Sequence, residues 1–160
     1  MAMNLHHYEV NVSWTGNRGT GTSAYRDYGR DHSVTAVGLP TLLGSADRTF
    51  HGDRERWNPE QLLVTALSQC HMLSYLHVAV LHGVVVTKYE DSATGTLVLN
   101  PDGSGQFESV TLHPRISVAD PATEELALGL HAQAAAKCFI ARSVNFPIHH
   151  KPGVLAPTQD

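Results

Sequence analysis

The sequence has few cysteines and no excess of basic residues. Only two cysteines, Cys70 and Cys138, occur in 160 residues, and neither belongs to a CxxC pair or a zinc-type cluster. A chain of this length can bury a continuous core, so it needs neither disulfides nor metals to stabilise its fold. The formal net charge of −4 leaves no basic surface for nucleic acid, which is therefore not an expected partner.

Long apolar runs, internal repeats and low-complexity segments are also missing. No segment reaches the roughly 18 uninterrupted apolar residues of a membrane helix. The stretch from Met1 to His7 lacks the charged and apolar regions of a signal peptide. We therefore expect a cytoplasmic protein without membrane contact. In that reducing compartment a disulfide is more often transient and catalytic than structural.

The composition that remains is that of a globular α+β domain. Hydrophobic residues make up 42% of the chain and charged residues 16%, as in an ordinary folded domain. We predict a single domain over residues 1–153 and a loose C-terminal tail over residues 154–160.

Three strands are predicted in the first third of the chain. Residues 7–14 alternate between apolar and polar side chains, the pattern of a half-buried strand. A turn is predicted over residues 15–19, a second strand over Thr20–Tyr28, and a third within residues 34–49, where Pro40 interrupts it.

A long helix is predicted over residues 59–82. Asn58 can cap it, Pro59 suits the first helical position, Gln61 completes a capping box, and Gly83 stands where the helix should stop. The side chains that recur every three or four residues, and so should face other protein, are Leu63, Ala66, Leu67, Cys70, Leu73, Ser74, His77 and Leu81.

The second half of the chain should hold a hairpin, a second helix and a last strand. Residues 84–99 and 106–118 are rich in Val, Thr, Leu and Ile and flank a turn-rich stretch, so they should pair as antiparallel strands. The second helix should start at Asp120 and end at Cys138. A short helix and a strand over 145–150 should follow.

Four short motifs carry a resemblance to a known family. They are Trp14–Thr22 at the first turn, Asn58–Leu63 at the helix start, Ala66–Cys70, and Cys138–Ser143. With these motifs the chain resembles the OsmC/Ohr family of thiol-dependent hydroperoxide reductases over nearly its whole length. The resemblance implies an OsmC/Ohr-like fold with two central helices and antiparallel sheets, in an intertwined homodimer.

The resemblance implies a peroxidatic cysteine, a resolving cysteine, an arginine that activates the thiolate, and a glutamate that orients the arginine. Carried onto this sequence, these roles fall in that order to Cys70, Cys138, Arg18 and Glu60. Arg26 and Arg30 lie close enough to Arg18 in sequence to compete for the activating role. His71 departs from the family, because many relatives carry a bulky apolar residue after the cysteine.

The implied chemistry suits these residue types. A thiolate attacks a peroxide, an arginine stabilises that thiolate, and the resulting sulfenic acid condenses with a second thiol to a disulfide. Organic hydroperoxides are the expected substrates if apolar side chains line the pocket; the candidates are Leu67, Met72, Leu73 and Phe139. No bound cofactor is implied, and the family suggests a dithiol reductant such as a lipoyl group.

The spacing of Glu60 and Cys70 adds a constraint. On one straight helix, ten residues separate them by roughly 15 Å. A glutamate that serves the arginine at the same thiolate must therefore be reached by a long arginine side chain or come from a second subunit. We expect the second arrangement.

Other functions stay open. Cys70 and Cys138 would be unreactive core thiols in a non-catalytic small-molecule-binding domain, and they would pair without turnover in a redox sensor. A Cys/His hydrolase would need a base other than His71, which projects about 100° away from Cys70 on a helix, and distant His32 is the remaining candidate. The histidines on the first helix lack the i, i+4 spacing of a metal site, so solvated or hydrogen-bonded histidines are expected.

Overall fold

Helices and short strands are distributed along residues 4–155, the part of the chain that the computed structural model describes. The chain divides after Leu62, within the long helix α1 (Pro59–Leu81), into two compact units. The single domain predicted over residues 1–153 stays a prediction.

The first unit contains one antiparallel sheet. Its strands are β1 (Asn11–Trp14), β2 (His32–Thr35) and β3 (Leu42–Gly44), in the order β1–β2–β3. All four residues of β1 are exposed. The predicted strand over residues 7–14 is therefore right only for its last four positions, and its predicted half-burial is wrong for the single chain.

The second predicted strand, Thr20–Tyr28, is wrong. Bends and turns occupy this segment. The Asn17 Oδ1 accepts hydrogen bonds from the Gly19 and Gly21 backbone N–H groups at 2.9 and 3.1 Å. Gly19 and Gly21 have φ angles of 113° and 58°, which favour glycine and break an extended strand. The region of the predicted third strand instead holds β2 and β3 on either side of Pro40.

Helix α1 begins at Pro59, as predicted, and ends at Leu81, one residue before the predicted end. The Gln61 N–H donates to the Asn58 Oδ1 at 2.8 Å, and the Asn58 N–H donates to the Gln61 Oε1 at 3.2 Å. This reciprocal pair is a capping box. After the helix, Gly83 has a φ of 70°, the left-handed conformation that ends many helices.

The buried face of α1 differs from the predicted stripe. Its buried side chains are Leu67, His71, Tyr75, Val78 and Ala79. Leu73 and Leu81, which the stripe included, are 60% and 59% exposed. The difference arises because two ring side chains, those of His71 and Tyr75, pack in the interior. By length and composition α1 resembles both core helices and membrane spans, and only 28% of its apolar stretch is buried.

The second unit contains two mixed sheets. Its strands are β4 (Val86–Asp91), β5 (Thr94–Leu99), β6 (Gly105–Leu112), β7 (Pro114–Val118), β8 (Ile148–His150) and β9 (Gly153–Val154). β5 and β6 form the expected hairpin, and β8 joins β6 in parallel. β4 and β7 pair in a separate sheet, where β9 lies parallel to β7. Each half of the predicted hairpin therefore splits into two strands.

Helix α2 (Glu124–Lys137) follows a 3-10 turn over Pro121–Thr123 and ends one residue before Cys138. The helix predicted after it is a 3-10 turn, Ala141–Ser143. The predicted loose tail begins too early, because β9 includes Val154 and the Leu155 N–H donates to the Ile116 carbonyl. Residues 156–160 of that tail lie outside the described residues.

Two apolar clusters make the core of the second unit. The larger joins α1, α2 and β7 through Tyr75, Val78, Ala79, Val84, Ile116, Ala127, Leu130 and Ala134. The smaller joins the first part of α1 to β6 through Leu67, Phe107, Val110 and Leu112. The two helices are thus held beside the sheets, with Cys70 on α1 and Cys138 at the end of α2.

Candidate active site

The two cysteines meet within the second unit. Cys70 is partly buried on α1, whereas the Cys138 side chain is buried, with 1% exposure. Both are free thiols. Burial raises the pKa of Cys138 to about 11, and the neighbouring Cys70 side chain adds to that increase. Sixty-eight residues apart in sequence, the two sulfurs are close enough to interact.

The two thiols differ in burial and in reactivity. A thiol with a pKa of about 11 is protonated at neutral pH and is a poor nucleophile. Cys70 is the more accessible sulfur, so a small substrate reaches it first. Cys138 has no such access, but its sulfur lies close enough to Cys70 to interact with it.

An open groove of about 490 Å³ runs along α1 beside the end of α2. Its lining residues are Leu73, Ser74, His77, Ala136, Lys137, Phe139 and Arg142. Leu73 and Phe139, two of the apolar residues expected at the substrate, are 60% and 79% exposed there. Phe139 directly follows Cys138 in sequence, but neither cysteine is among the residues that line the groove.

The other two expected substrate residues lie elsewhere. Leu67 packs in the smaller core cluster and is 1% exposed. Met72 lines a second cavity of about 440 Å³, together with Ser68, Tyr89 and Asp91. The structure thus brings only Leu73 and Phe139 together in one groove.

Three arginines of the first unit are held differently. The Arg30 guanidinium donates to the Tyr28 carbonyl at 2.5 Å and to the Tyr25 carbonyl at 2.7 Å, and it stacks on both tyrosine rings. Arg18 and Arg26 are exposed, and neither makes a hydrogen bond or ion pair within residues 4–155. The Arg30 guanidinium is therefore held by contacts within its own loop, whereas those of Arg18 and Arg26 are free of such contacts in the described part of the chain.

Glu60 lies in the first turn of α1. Its Oε2 is buried and has no hydrogen-bond partner among the described residues. A buried carboxylate oxygen without a donor is costly, since its hydration is lost and not replaced. The atom is therefore suited to accept a hydrogen bond from a cationic side chain such as an arginine.

A cluster of histidine and tyrosine rings includes His71, the residue after Cys70 in sequence. The His71 Nε2 and the His131 Nδ1 are 3.0 Å apart and share a hydrogen bond. The His150 ring lies 4.5 Å from the His71 ring, and the Tyr75 ring stacks on His131 at 4.0 Å. The expectation of hydrogen-bonded histidines is confirmed for His71 and His131, but neither of them is solvated.

The histidines of this cluster are neutral. Burial lowers the pKa of His71 to about 3 and that of His131 to about 4, and nearby His150 lowers both further. The pKa of His150 is also lowered by burial. Within residues 4–155, no three side chains are placed to hold a metal ion.

Sequence reasoning missed His131 and His150 as parts of this region. They lie 60 and 79 residues after His71, and no local pattern links them. The one available signal was the polar residue His71 in a helix next to Cys70. That signal indicates an unusual position but does not identify its partner.

The comparisons with known proteins agree with one another. The sequence model of a family described as OsmC-like protein matches residues 51–152. No curated protein sequence matches the chain. An OsmC-like protein of unknown function from Vibrio cholerae has a similar structure, with a TM-score of 0.80 at 27% identity, over 92% of this chain and 99% of that one.

Two more distant structures share the fold. An organic hydroperoxide resistance protein OsmC from Legionella pneumophila has a TM-score of 0.69 at 19% identity, over 96% of this chain and 100% of that one. The organic hydroperoxide resistance protein OhrB of Bacillus subtilis has a TM-score of 0.64 at 18% identity, over 95% and 100%. At these identities the likeness concerns the fold, and it confirms the α+β architecture predicted from the motifs.

Proposed function

Because this chain belongs to the family of OsmC-like proteins, we propose that it is a thiol-dependent hydroperoxide reductase that converts organic hydroperoxides to alcohols. The observation that carries this proposal is the unequal pair of thiols, with Cys70 accessible and Cys138 buried and protonated beside it. The names of two structural relatives, both organic hydroperoxide resistance proteins, support the same class of substrate.

The proposed reaction has two steps. The Cys70 thiolate attacks one peroxide oxygen, the O–O bond breaks, and the alkoxide takes a proton to leave as alcohol. Cys70 is then a sulfenic acid. The Cys138 sulfur attacks it, the S–O bond breaks, and the hydroxyl leaves with the Cys138 proton as water. The two thiols together lose two electrons, which reduce the peroxide, and they end as a disulfide.

Arg18 is the proposed activating residue. A fixed positive charge favours the thiolate over the thiol, and the planar guanidinium can also donate to a peroxide oxygen as the O–O bond breaks. The hydrogen bonds and ring stacking that hold Arg30 argue against Arg30 in this role. Glu60, with its unpartnered buried oxygen, is proposed to orient the arginine.

We further propose that the protein is a homodimer. Glu60 and Cys70 are ten residues apart on α1, which is roughly 15 Å along the helix axis. A Glu60 that serves the thiolate of the partner chain removes this distance problem. The groove with Leu73 and Phe139 supplies apolar contacts for the organic part of the substrate.

The disulfide needs a reductant in every cycle. A dithiol such as a lipoyl group would attack it, be oxidised to its own cyclic disulfide, and return both cysteines to thiols. The cytoplasm is the proposed location, because it keeps protein thiols reduced between cycles.

The test is the intact mass and free-thiol count of the reduced protein after one equivalent of cumene hydroperoxide. The wild type should lose two hydrogens and both thiols. Cys138→Ser should gain one oxygen at Cys70, because nothing in the chain resolves the sulfenic acid. Cys70→Ser should not react.

Two outcomes would contradict the proposal. Two thiols that stay free would favour a non-catalytic domain of the same fold, and a disulfide that a dithiol does not reopen would favour a redox sensor. Hydrogen peroxide is the matched substrate control, since it lacks the organic group. If it were turned over faster than cumene hydroperoxide, the proposed preference for organic substrates would be wrong.

A further inference from the structure

Two buried hydrogen bonds join α1 to α2. The first is the 3.0 Å bond between His71 and His131, whose side chains are 0% and 2% exposed. The second is donated by the Tyr75 hydroxyl to the Ala127 carbonyl at 3.1 Å. The two bonds are four residues apart on each helix and follow opposite chain directions, so α1 and α2 run antiparallel here.

Both hydrogen-bonded histidines lie between the two cysteines in sequence. His71 is the residue after Cys70, and His131 is seven residues before Cys138. Seven residues are about two helical turns, or roughly 10 Å. The bond is therefore next to Cys70 on α1, and on the other side it is linked to Cys138 through the last two turns of α2, which ends at Lys137.

Apolar packing between α1 and α2 is supplemented by this polar contact. The buried apolar side chains on α2 are two small ones, Ala127 and Ala134, and one larger one, Leu130. A hydrogen bond between two ring nitrogens has a narrow range of lengths and angles. If it broke inside the protein, both nitrogens would lose a partner without gaining water, which is unfavourable.

In each histidine ring, the nitrogen outside this hydrogen bond has no other partner in the described part of the chain, so the pair depends on the one bond. The His71 Nδ1 and the His131 Nε2 are buried and have no partner among residues 4–155. The other titratable groups of the cluster are Tyr75 on α1, Tyr89 and Asp91 on β4, and His150 on β8. With both rings neutral, one inner nitrogen donates and the other accepts.

We propose that His71 and His131 are positioning residues for the Cys70–Cys138 disulfide. Their hydrogen bond sets the register of α1 against α2 and thereby holds the two sulfurs within bonding reach. This inference concerns the resolving step of the proposed function and rests on it, but disulfide formation is measurable without any peroxide.

The experiment is the equilibrium of the protein with reduced and oxidised glutathione at pH 7. One oxidised glutathione takes two electrons from Cys70 and Cys138, which form their disulfide, and it leaves as two reduced glutathiones. The equilibrium constant is the effective concentration of one cysteine at the other. It reports the relative placement of the sulfurs and not the overall stability.

The informative comparison is His71→Phe with His71→Gln. Phenylalanine keeps a ring but removes the hydrogen bond, and we expect the effective concentration to fall by roughly tenfold or more. Glutamine places an amide near the position of the Nε2, so it can still bond to His131. We expect His71→Gln to stay within about threefold of the wild type. Val84→Ala, a core change beyond the end of α1, is the control for lost stability and should leave the equilibrium unchanged.

The proposal is overturned if His71→Phe behaves like Val84→Ala, or if His71→Gln falls as far as His71→Phe. Should His71→Phe fail to fold, His131→Asn and His131→Leu make the same comparison from α2, since asparagine mimics the Nδ1 position. Normal pairing without peroxide turnover would reject the proposed function and keep this inference. Cysteines that never pair in the wild type would reject the inference itself.

Discussion

Arginine side chains with free guanidinium groups are the residues on which the reactivity of Cys70 should depend most. We predict that Arg18→Ala lowers the second-order rate of Cys70 with cumene hydroperoxide by about 100-fold, the typical loss of one charged donor at a transition state. Arg18→Lys should recover part of that rate, because lysine keeps the charge but not the planar fork. Stopped-flow fluorescence or competition with a second peroxidase measures the rate.

Two other arginines are the controls for this prediction. Arg26→Ala removes an equally exposed arginine and should react at nearly the wild-type rate. Arg30→Ala should cost about 1 kcal/mol of stability, because it removes the stacking on Tyr25 and Tyr28, and it should leave the rate almost unchanged. A large loss in Arg26→Ala together with a normal Arg18→Ala would move the activating role to Arg26.

For single residues, the sequence predicts the candidate reactive atoms more successfully than it predicts their surroundings. Two cysteines in 160 residues are easily recognised as a pair. Their unequal burial depends on how α2 packs, which no local pattern reveals. The same limit hid His131, because its partner His71 is 60 residues away and both look like surface residues in a helical pattern.

The packing of α1 against α2 should make the protein sensitive to acid. Folding lowers the pKa of His71 to about 3 and that of His131 to about 4, from about 6.5 in the unfolded chain. As the pH falls below 6.5, these histidines bind protons in the unfolded chain but stay neutral in the folded chain. Stability is therefore lost toward low pH, by up to about 1.4 kcal/mol per pH unit for each histidine.

His71→Gln tests this prediction, because it removes one of the two histidines that bind a proton in the unfolded chain but not in the folded chain. Between pH 7 and pH 5 the variant should lose about 2 kcal/mol less free energy of unfolding than the wild type. Urea titrations at a fixed protein concentration measure both values. His7→Gln, which changes an exposed histidine, is the matched control and should lose as much as the wild type. An equal loss in His71→Gln would show that His71 is not buried as a neutral ring.

Secondary structure is predictable here where local chemistry decides it. The capping box of Asn58 and Gln61, the stop at Gly83 and the turn between β5 and β6 are all encoded by neighbouring residues, and all were predicted. The strand predicted over Thr20–Tyr28 failed because the Asn17 side chain and two glycines with positive φ hold a loop there. Residue composition alone did not reveal that network.

The pairing of strands goes beyond what local patterns can predict. The parallel contacts of β8 with β6 and of β9 with β7 join segments that are more than 30 residues apart. Such pairings depend on how helices and sheets pack as a whole. The four motifs taken together indicated the family and, through it, the fold.

For the whole molecule, the single chain leaves an unusual amount of apolar surface uncovered. Only 28% of the apolar stretch of α1 is buried, and Leu73, Val80 and Leu81 are each more than half exposed. Exposed apolar surface on this scale usually marks an interaction site. Since Glu60 is also proposed to act in a partner's site, a second copy of the chain is the proposed cover for this helix.

We predict that the protein in solution has twice the 17.4 kDa mass of the chain, measured by light scattering after size exclusion. Val80→Glu places a charge on the exposed side of α1, where its burial against a second chain would be costly, so this variant should shift toward monomer. Leu126→Glu is the matched control, because Leu126 is 47% exposed on α2, and it should stay dimeric. A monomeric wild type would show that Glu60 acts within its own chain or not at all, and it would require the arginine to span the distance along α1.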